Sequence, residues 1–194
     1  MDVRRTSADE RDAVLGLYAH ASALQRSKGQ VEWPAIDTAL VEQEIEEGRQ
    51  WHLRIDGAVA CVWVVAYEDP LIWGDMEADP SVFLHRIATA PEFRGRRLVG
   101  EVVAWAIDHA RDLGRTHLRL DTVGHNEALI RLYTSHGFTF LGPKHLDDVR
   151  DLPGHYADGP CLRFEQVVPM MRSMDEVPED GTKGLSTNPS SPRA

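Results

Sequence analysis

The chain of 194 residues is long enough for one domain with a substantial core, and its 42% hydrophobic and 27% charged residues are typical of a globular protein. Its formal net charge of −10 disfavours a nucleic-acid backbone or an anionic membrane as partner. No apolar run is long enough to span a bilayer, and the N-terminus lacks the apolar core of a signal peptide, so a cytoplasmic location is expected. Cys61 and Cys161 lie in apolar strand-like runs and are expected to be buried thiols.

The first half of the chain shows clear helix and strand signals. Ser7 and Glu10 have the spacing of a capping box, which predicts the start of a helix. Asp56 and Gly57 form a two-residue turn signal between two apolar runs, which predicts a β-hairpin. The predicted elements of this half are strands over 2–7, 51–55, 58–67 and 81–89, and helices from 7 to about 28 and over 36–47.

The second half repeats a strand–helix–strand pattern twice before a final strand. Its predicted elements are helices over 98–113 and 126–136 and strands over 116–123, 138–141 and 161–168, with a long loop over 142–159. The hairpin predicts antiparallel pairs and the two strand–helix–strand units predict parallel pairs. We therefore expect an α/β (α+β) domain over 1–168, with a mixed sheet and helices on both faces. The Pro- and Ser-rich segment 169–194 is expected to be a disordered tail.

A loop rich in arginine and glycine connects the strand ending at Thr89 to the helix beginning at Leu98. The first N–H groups of a helix have no partner within the helix, and the helix dipole adds partial positive charge there. Three arginines in the loop add full charges that pair well with phosphate. The stretch therefore predicts a ligand that carries phosphate, with a solvated turn as the alternative. It is neither a Walker loop nor a dinucleotide-binding fingerprint.

Two motifs in this order resemble signatures of the GNAT superfamily of acyl-CoA-dependent N-acyltransferases. Residues 84–99 resemble its strand followed by Arg/Gln-x-x-Gly-x-Gly/Ala and a helix, and residues 126–138 resemble Asn-x-x-Ala-x-x-Leu-Tyr-x-x-x-Gly-Phe. The resemblance covers about residues 3–168 and implies a mostly antiparallel sheet. Arg97 and Val99 depart from the first motif, and Leu129 departs from the second. The branched side chain of Val99 is expected to crowd a pyrophosphate held by backbone N–H groups.

The resemblance implies that acetyl-CoA is the co-substrate, and no metal is expected to take part. Backbone groups of Ile87, Ala88 and Thr89 would pair with the pantetheine arm like an added strand. The pyrophosphate would be held by the loop and the first helical turn, comprising Arg94, Gly95, Arg96, Arg97, Leu98, Val99 and Gly100. Asn126 and Tyr133 would lie beside the cofactor, although Asn126 also suits a plain helix N-cap.

The resemblance also implies the catalytic groups. Tyr133 falls where the family places the general acid for the departing thiolate, and the alternative is an ordinary core tyrosine. His85 falls where some members carry a histidine that acts as a base through water, and the alternative is a structural strand histidine. Histone acetyltransferases have a glutamate at the position of Phe83, so no carboxylate base is expected from that site.

Three residues are candidates for binding the acceptor. Trp33 lies in the loop between the first two helices, Glu68 lies in the acidic connection after the hairpin, and His155 lies in the long loop before the last strand. A packing tryptophan and a solvated acidic loop are the alternatives. No recognisable set of metal ligands is present in the sequence.

These observations predict an N-acetyltransferase that transfers an acetyl group from acetyl-CoA to a primary amine of a small molecule or peptide. A non-catalytic sensor of acyl-CoA or CoA on the same fold is the first alternative, and a scaffold that binds a partner without any nucleotide is the second. Neither nucleic acid nor membrane is expected as a partner, and a homodimer is left open.

Overall fold

The computed structural model describes residues 1–169, and the tail predicted over 169–194 lies outside the described residues from 170 onward. The strands are β1 (Asp2–Arg5), β2 (Gln50–Ile55), β3 (Ala58–Ala66), β4 (Ser81–Thr89), β5 (His117–Val123), β6 (Thr139–Lys144) and β7 (Cys161–Val167). The helices are α1 (Arg11–Ser27), α2 (Thr38–Glu46), α3 (Pro70–Trp73), α4 (Leu98–Asp112) and α5 (Glu127–Ser135). None of these helices combines the length and apolar character needed to cross a membrane.

All seven strands form one sheet in the order β1-β2-β3-β4-β5-β7-β6. Only β4 and β5 are parallel neighbours, and every other pair is antiparallel, which confirms the mixed, mostly antiparallel prediction. The prediction of a second parallel pair is wrong, because β7 lies between β5 and β6 and pairs antiparallel with both. The long loop after β6 provides enough chain for β7 to return into that gap.

Helices cover both faces of the sheet, as predicted. On one face, α4 and α5 pack over the largest apolar cluster, to which α4 contributes Leu98, Val102, Val103, Ala106 and Ala110. On the other face, α1 and α2 pack their buried residues against Val62, Ala88 and Ala90. Apolar residues at helical spacing therefore account for both layers, since each helix buries one stripe on the sheet.

Several local predictions are confirmed, and two are corrected. The Ser7 N–H donates to Glu10 Oε2 at 3.0 Å in the capping box, and both cysteines are buried free thiols. Helix α2 begins at Thr38 and not at residue 36, because Asp37 caps it by accepting from the Ala39 N–H at 2.9 Å. The connection predicted over 68–79 contains α3, which begins at Pro70 and buries Trp73 against Phe83.

Candidate active site

A cleft opens where β4 and β5 separate. Their parallel pairing ends at Leu84 and Leu120, although β4 continues to Thr89 and β5 continues to Val123. The cleft has a volume of about 850 Å³, which lies within the range of small-molecule and cofactor sites. Residues of α5 line it on one face of the sheet, and the connection between α1 and α2 lines it on the other.

A β-bulge in β4 coincides with this opening. On β3, Val62 pairs with Ala88 and Val64 pairs with His85, so one residue of β3 faces two residues of β4. Arg86, one of those two, has a φ of +50°, a left-handed conformation that is uncommon for a residue other than glycine. A bulge bends the strand that carries it and interrupts pairing, so this one directs the end of β4 away from β5.

The bulge is fixed by a largely buried ion pair at the wall of the cleft. Arg86 pairs with the carboxylate of Glu44 on α2, and its guanidinium lies 5.2 Å from the centre of the Tyr18 ring. Glu44 is only 4% exposed and also faces Arg49 at 3.7 Å. Because a buried carboxylate is costly without a partner, this pairing ties α2 to the strained turn of β4.

The predicted pantetheine positions lie along the cleft. Ile87, Ala88 and Thr89 line it directly after the bulge, where β4 has lost β5 as a neighbour. The backbone of an unpaired strand edge offers donors and acceptors to an extended ligand. The geometry therefore fits the proposed strand-like pairing with a pantetheine arm.

The predicted pyrophosphate loop is exposed at the start of α4. Gly95 and Arg97 have φ values of +81° and +59°, so the loop turns through two left-handed residues before the helix begins. Among the side chains that the structure describes, no carboxylate forms an ion pair with Arg94, Arg96 or Arg97. Unneutralised guanidinium groups beside the open N-terminus of a helix fit a polyphosphate ligand.

The residues of the first turn of α4, which were predicted to hold the pyrophosphate, occupy different environments. Leu98 is buried, and Val99 packs its side chain against the main core. The Gly100 N–H already donates to the Arg97 carbonyl at 2.9 Å. A Cβ at Gly100 would lie 2.8 Å from Cε1 of His136, so this glycine permits the close approach of α4 to the end of α5.

Asn126 caps α5 and also lines the cleft. Its Oδ1 accepts from the Leu129 N–H at 3.1 Å, as expected for an N-cap. The residue is only 9% exposed, and its amide group is part of the cleft lining. Asn126 therefore acts as the N-cap of α5 from a position in the cleft wall.

Tyr133 presents its side chain to the cleft from α5. Its ring packs against Phe138 and Phe164, with centroid distances of 6.0 and 5.2 Å. Its hydroxyl makes no hydrogen bond with any of the groups that the structure describes. Burial, followed by the nearby Cys61 and Asp121, holds the pKa of this phenol well above its usual value. The hydroxyl therefore stays protonated at neutral pH and is a potential proton donor.

His85 lines the cleft beside two carboxylates. Its Nε2 is 3.8 Å from Oδ2 of Asp69, and nitrogen and carboxylate atoms of His85, Asp69 and Asp121 all lie within 4.8 Å of one another. Burial lowers the pKa of the imidazole and the charge of Asp121 opposes this, while the nearby Arg86 and Arg49 lower it further. The lowered pKa favours neutral imidazole at pH 7, which is the form that accepts a proton.

Asp121 was not identified from the sequence, although it occupies the centre of the site. It lines the cleft from β5 and accepts a hydrogen bond from the Tyr156 hydroxyl at 2.7 Å, with Cys161 Sγ at 3.5 Å. Two features of the sequence could have indicated it. Asp121 lies near the carboxyl end of a strand predicted to be parallel, and it points to the opposite face from the buried Leu118 and Leu120.

The three predicted acceptor residues do not lie together. Trp33 and His155 line the cleft, and burial lowers the pKa of His155 against the charges of Asp121 and Asp158. Glu68 is not among the residues that line this cleft; it borders a smaller pocket beside Arg115. In the connection after β3, it is the neighbouring residue Asp69, and not Glu68, that approaches His85.

The split sheet, with an arginine- and glycine-rich loop beside it, defines the architecture of an acyl-CoA-dependent N-acyltransferase. The model of the acetyltransferase (GNAT) family matches residues 18–138, more than half of the chain, and the chain belongs to this family. It is 27% identical to the uncharacterized N-acetyltransferase YesJ of Bacillus subtilis over 142 residues, covering 69% of this chain and 79% of that protein.

Solved structures share the fold. A GNAT-family acetyltransferase from Listeria monocytogenes superposes with a TM-score of 0.70 at 22% identity, covering 86% of this chain and 94% of that one. The putative acetyltransferase yncA from Salmonella typhimurium, solved with acetyl-CoA, has a TM-score of 0.61 at 19% identity, covering 91% and 98%. These likenesses establish a GNAT fold, and the family match identifies the protein as a GNAT-type N-acetyltransferase.

Proposed function

We propose that the protein transfers the acetyl group of acetyl-CoA to a primary amine of a small molecule or peptide. The observation that carries this proposal is a single cleft that joins two kinds of site. The cleft is lined by Arg94 of the exposed arginine loop, which leads into α4 and suits a pyrophosphate, and by His85, which lies beside carboxylates. Tyr133 lines the same cleft.

In the proposed reaction the amine nitrogen attacks the thioester carbonyl carbon, a C–N bond forms, and the C–S bond breaks. His85 takes one proton from the acceptor ammonium, through a water, so that the lone pair is available for attack. Tyr133 gives its proton to the departing thiolate sulfur and regains one from the nitrogen as the amide forms. The products are the N-acetylated amine and free CoA, with one proton released from His85 to solvent.

The acceptor end of the cleft favours a cationic amine. Asp69 and Asp121 flank His85, and Trp33 and His155 add aromatic surface. Carboxylates in a partly buried cleft attract an ammonium group and orient it, which lowers the entropic cost of the reaction. The predicted cytoplasmic location and the prediction that no metal takes part stay predictions.

A turnover assay with a panel of amines tests the proposal. Release of free thiol from acetyl-CoA is measured with small monoamines, diamines, amino acids and short peptides, and the acetylated product is identified by mass spectrometry. The proposal predicts saturable thiol release with a subset of cationic amines. Tight binding of CoA by calorimetry without turnover on any amine would instead favour a non-catalytic sensor. Failure to bind either CoA or acetyl-CoA would favour a scaffold that uses no nucleotide.

A further inference from the structure

We infer that Asp121, held in place by Tyr156, is a positioning residue that orients the His85 imidazole and stabilises the imidazolium formed when His85 accepts a proton. This inference rests on the proposed function, because it assumes that His85 acts as the base. It gives a role to a carboxylate that neither sequence motif contains.

The arrangement of β4 and β5 brings the two side chains together. The pairing between β4 and β5 ends at Leu84 and Leu120, and His85 and Asp121 are the next residue of each strand. A His85 ring nitrogen and an Asp121 oxygen therefore face each other across the opening, within 4.8 Å. That range includes separations that a single bridging water spans, so the contact suits a relay between the two groups.

Tyr156 fixes the carboxylate for this role. Its hydroxyl donates to Oδ2 of Asp121 at 2.7 Å, from the long loop that connects β6 and β7. Burial, with the charge of Asp121, holds the pKa of the Tyr156 phenol well above its usual value, so the hydroxyl remains a donor. Oδ2 of Asp121 thus accepts from both Tyr156 and Cys161, and these two contacts hold the carboxylate in place.

Four charged groups surround His85, and their balance suits a base that begins neutral. Arg86 on β4 and Arg49 before β2 lower the pKa of the imidazole together with burial, whereas Asp121 on β5 raises it. Asp69, which precedes α3, lies at 3.8 Å from Nε2. A carboxylate that contacts the charged form helps most after proton transfer, as expected for stabilisation of a developing charge.

Replacement of Asp121 by asparagine tests this role while keeping the shape of the side chain. D121N is expected to lower kcat/KM by about 10- to 100-fold, by analogy with the loss of a carboxylate that orients a metal-bound histidine. The acidic limb of the pH profile is expected to move to lower pH, because a charge that raises the pKa of His85 is lost. In a His85→Gln background, D121N should have little further effect.

A role of Asp121 in binding the ammonium group directly gives a different result. In that case D121N raises KM for the amine with kcat nearly unchanged, and its cost multiplies with that of His85→Gln. Either that pattern or an unmoved pH limb would overturn the inference. Asp158→Asn is the matched control, since this exposed carboxylate faces His155 and should leave the limb in place.

A histidine titration followed by NMR gives a readout that needs no turnover. The pKa of the His85 imidazole is expected to fall in D121N and to stay unchanged in Asp158→Asn. Tyr156→Phe should lower kcat by less than D121N and add nothing to D121N, and it provides the test if D121N does not fold. A titration of His85 that is identical in wild type and D121N refutes the inference, whether or not an acceptor is found.

Discussion

Replacement of Tyr133 by phenylalanine separates a catalytic hydroxyl from a core aromatic ring. The substitution keeps the ring that packs on Phe138 and Phe164 and removes only the hydroxyl. Loss of a general acid is expected to lower kcat by about 100-fold or less. Because the hydroxyl has no hydrogen-bond partner in the described part of the protein, its removal should change the free energy of unfolding by less than about 0.5 kcal/mol.

The control is Tyr18, whose hydroxyl forms a hydrogen bond and has no proposed role in catalysis. The Tyr18 hydroxyl is buried and donates to Gln50 Oε1 at 2.8 Å. Tyr18→Phe leaves the amide oxygen of Gln50 without this partner and should cost about 1–3 kcal/mol of stability, or about 2–4 °C in Tm per kcal/mol, with kcat near wild type. Tyr133→Phe should therefore lower turnover and spare stability, whereas Tyr18→Phe should lower stability and spare turnover.

The assay measures thiol release at saturating acetyl-CoA and amine, with thermal unfolding of the same samples. Since burial keeps the pKa of Tyr133 above its usual value, wild-type kcat should not decline through ionisation of this phenol up to about pH 10. Wild-type turnover in a folded Tyr133→Phe protein would refute the assignment and leave Tyr133 as a core residue.

Four further predictions concern the loop, the base, the ion pair and pH. Gly95→Asp should bind acetyl-CoA at least about 10-fold more weakly than Gly95→Asn, which shares the strain at a φ of +81°, and equal calorimetric affinities would remove this loop from the site. His85→Gln should flatten the acidic limb of kcat/KM while acetyl-CoA affinity stays constant; a limb that survives, and that moves with the basicity of the amine, belongs to the acceptor. Glu44→Gln should cost about 3 kcal/mol in chemical denaturation because it leaves the charge of Arg86 buried, and a change near zero would show that the pair is dispensable. The unfolding free energy should fall as pH drops below about 6.5, since burial lowers the pKa of four histidines in the native state and the unfolded chain then binds more protons; stability that rises on acidification to pH 5 would contradict this. These histidines are His52, His85, His109 and His155.

Local signals predicted most of the fold because they act over a few residues. The Ser7 capping box, the Asp56-Gly57 hairpin and the apolar spacing of α4 each specify an element without reference to distant chain. The position of β7 between β5 and β6 was missed, because strand order depends on contacts between segments far apart in sequence. Helix α3 was missed because four residues carry too little periodicity to be recognised.

The candidate site also has residues that contiguous motifs predict and residues that only the folded chain brings together. The two motifs indicated Tyr133, His85 and the arginine loop, since each motif is contiguous in sequence. The approach of Asp121 to His85 depends on the bulge at Arg86, and a left-handed arginine has no sequence signature. Glu68 was placed at the acceptor because its loop is acidic, yet the turn before α3 brings Asp69 and not Glu68 to His85.

Parallel measurement of free thiol and acetylated amine in one reaction tests the central claim most directly. Purified protein is incubated with acetyl-CoA and the best amine of the panel, and both products are quantified over time. The account predicts equal amounts of the two products, with neither formed when the amine is omitted. Thiol formed without acetylated amine, or acetyl-CoA bound without loss of its acetyl group across the panel, would contradict it.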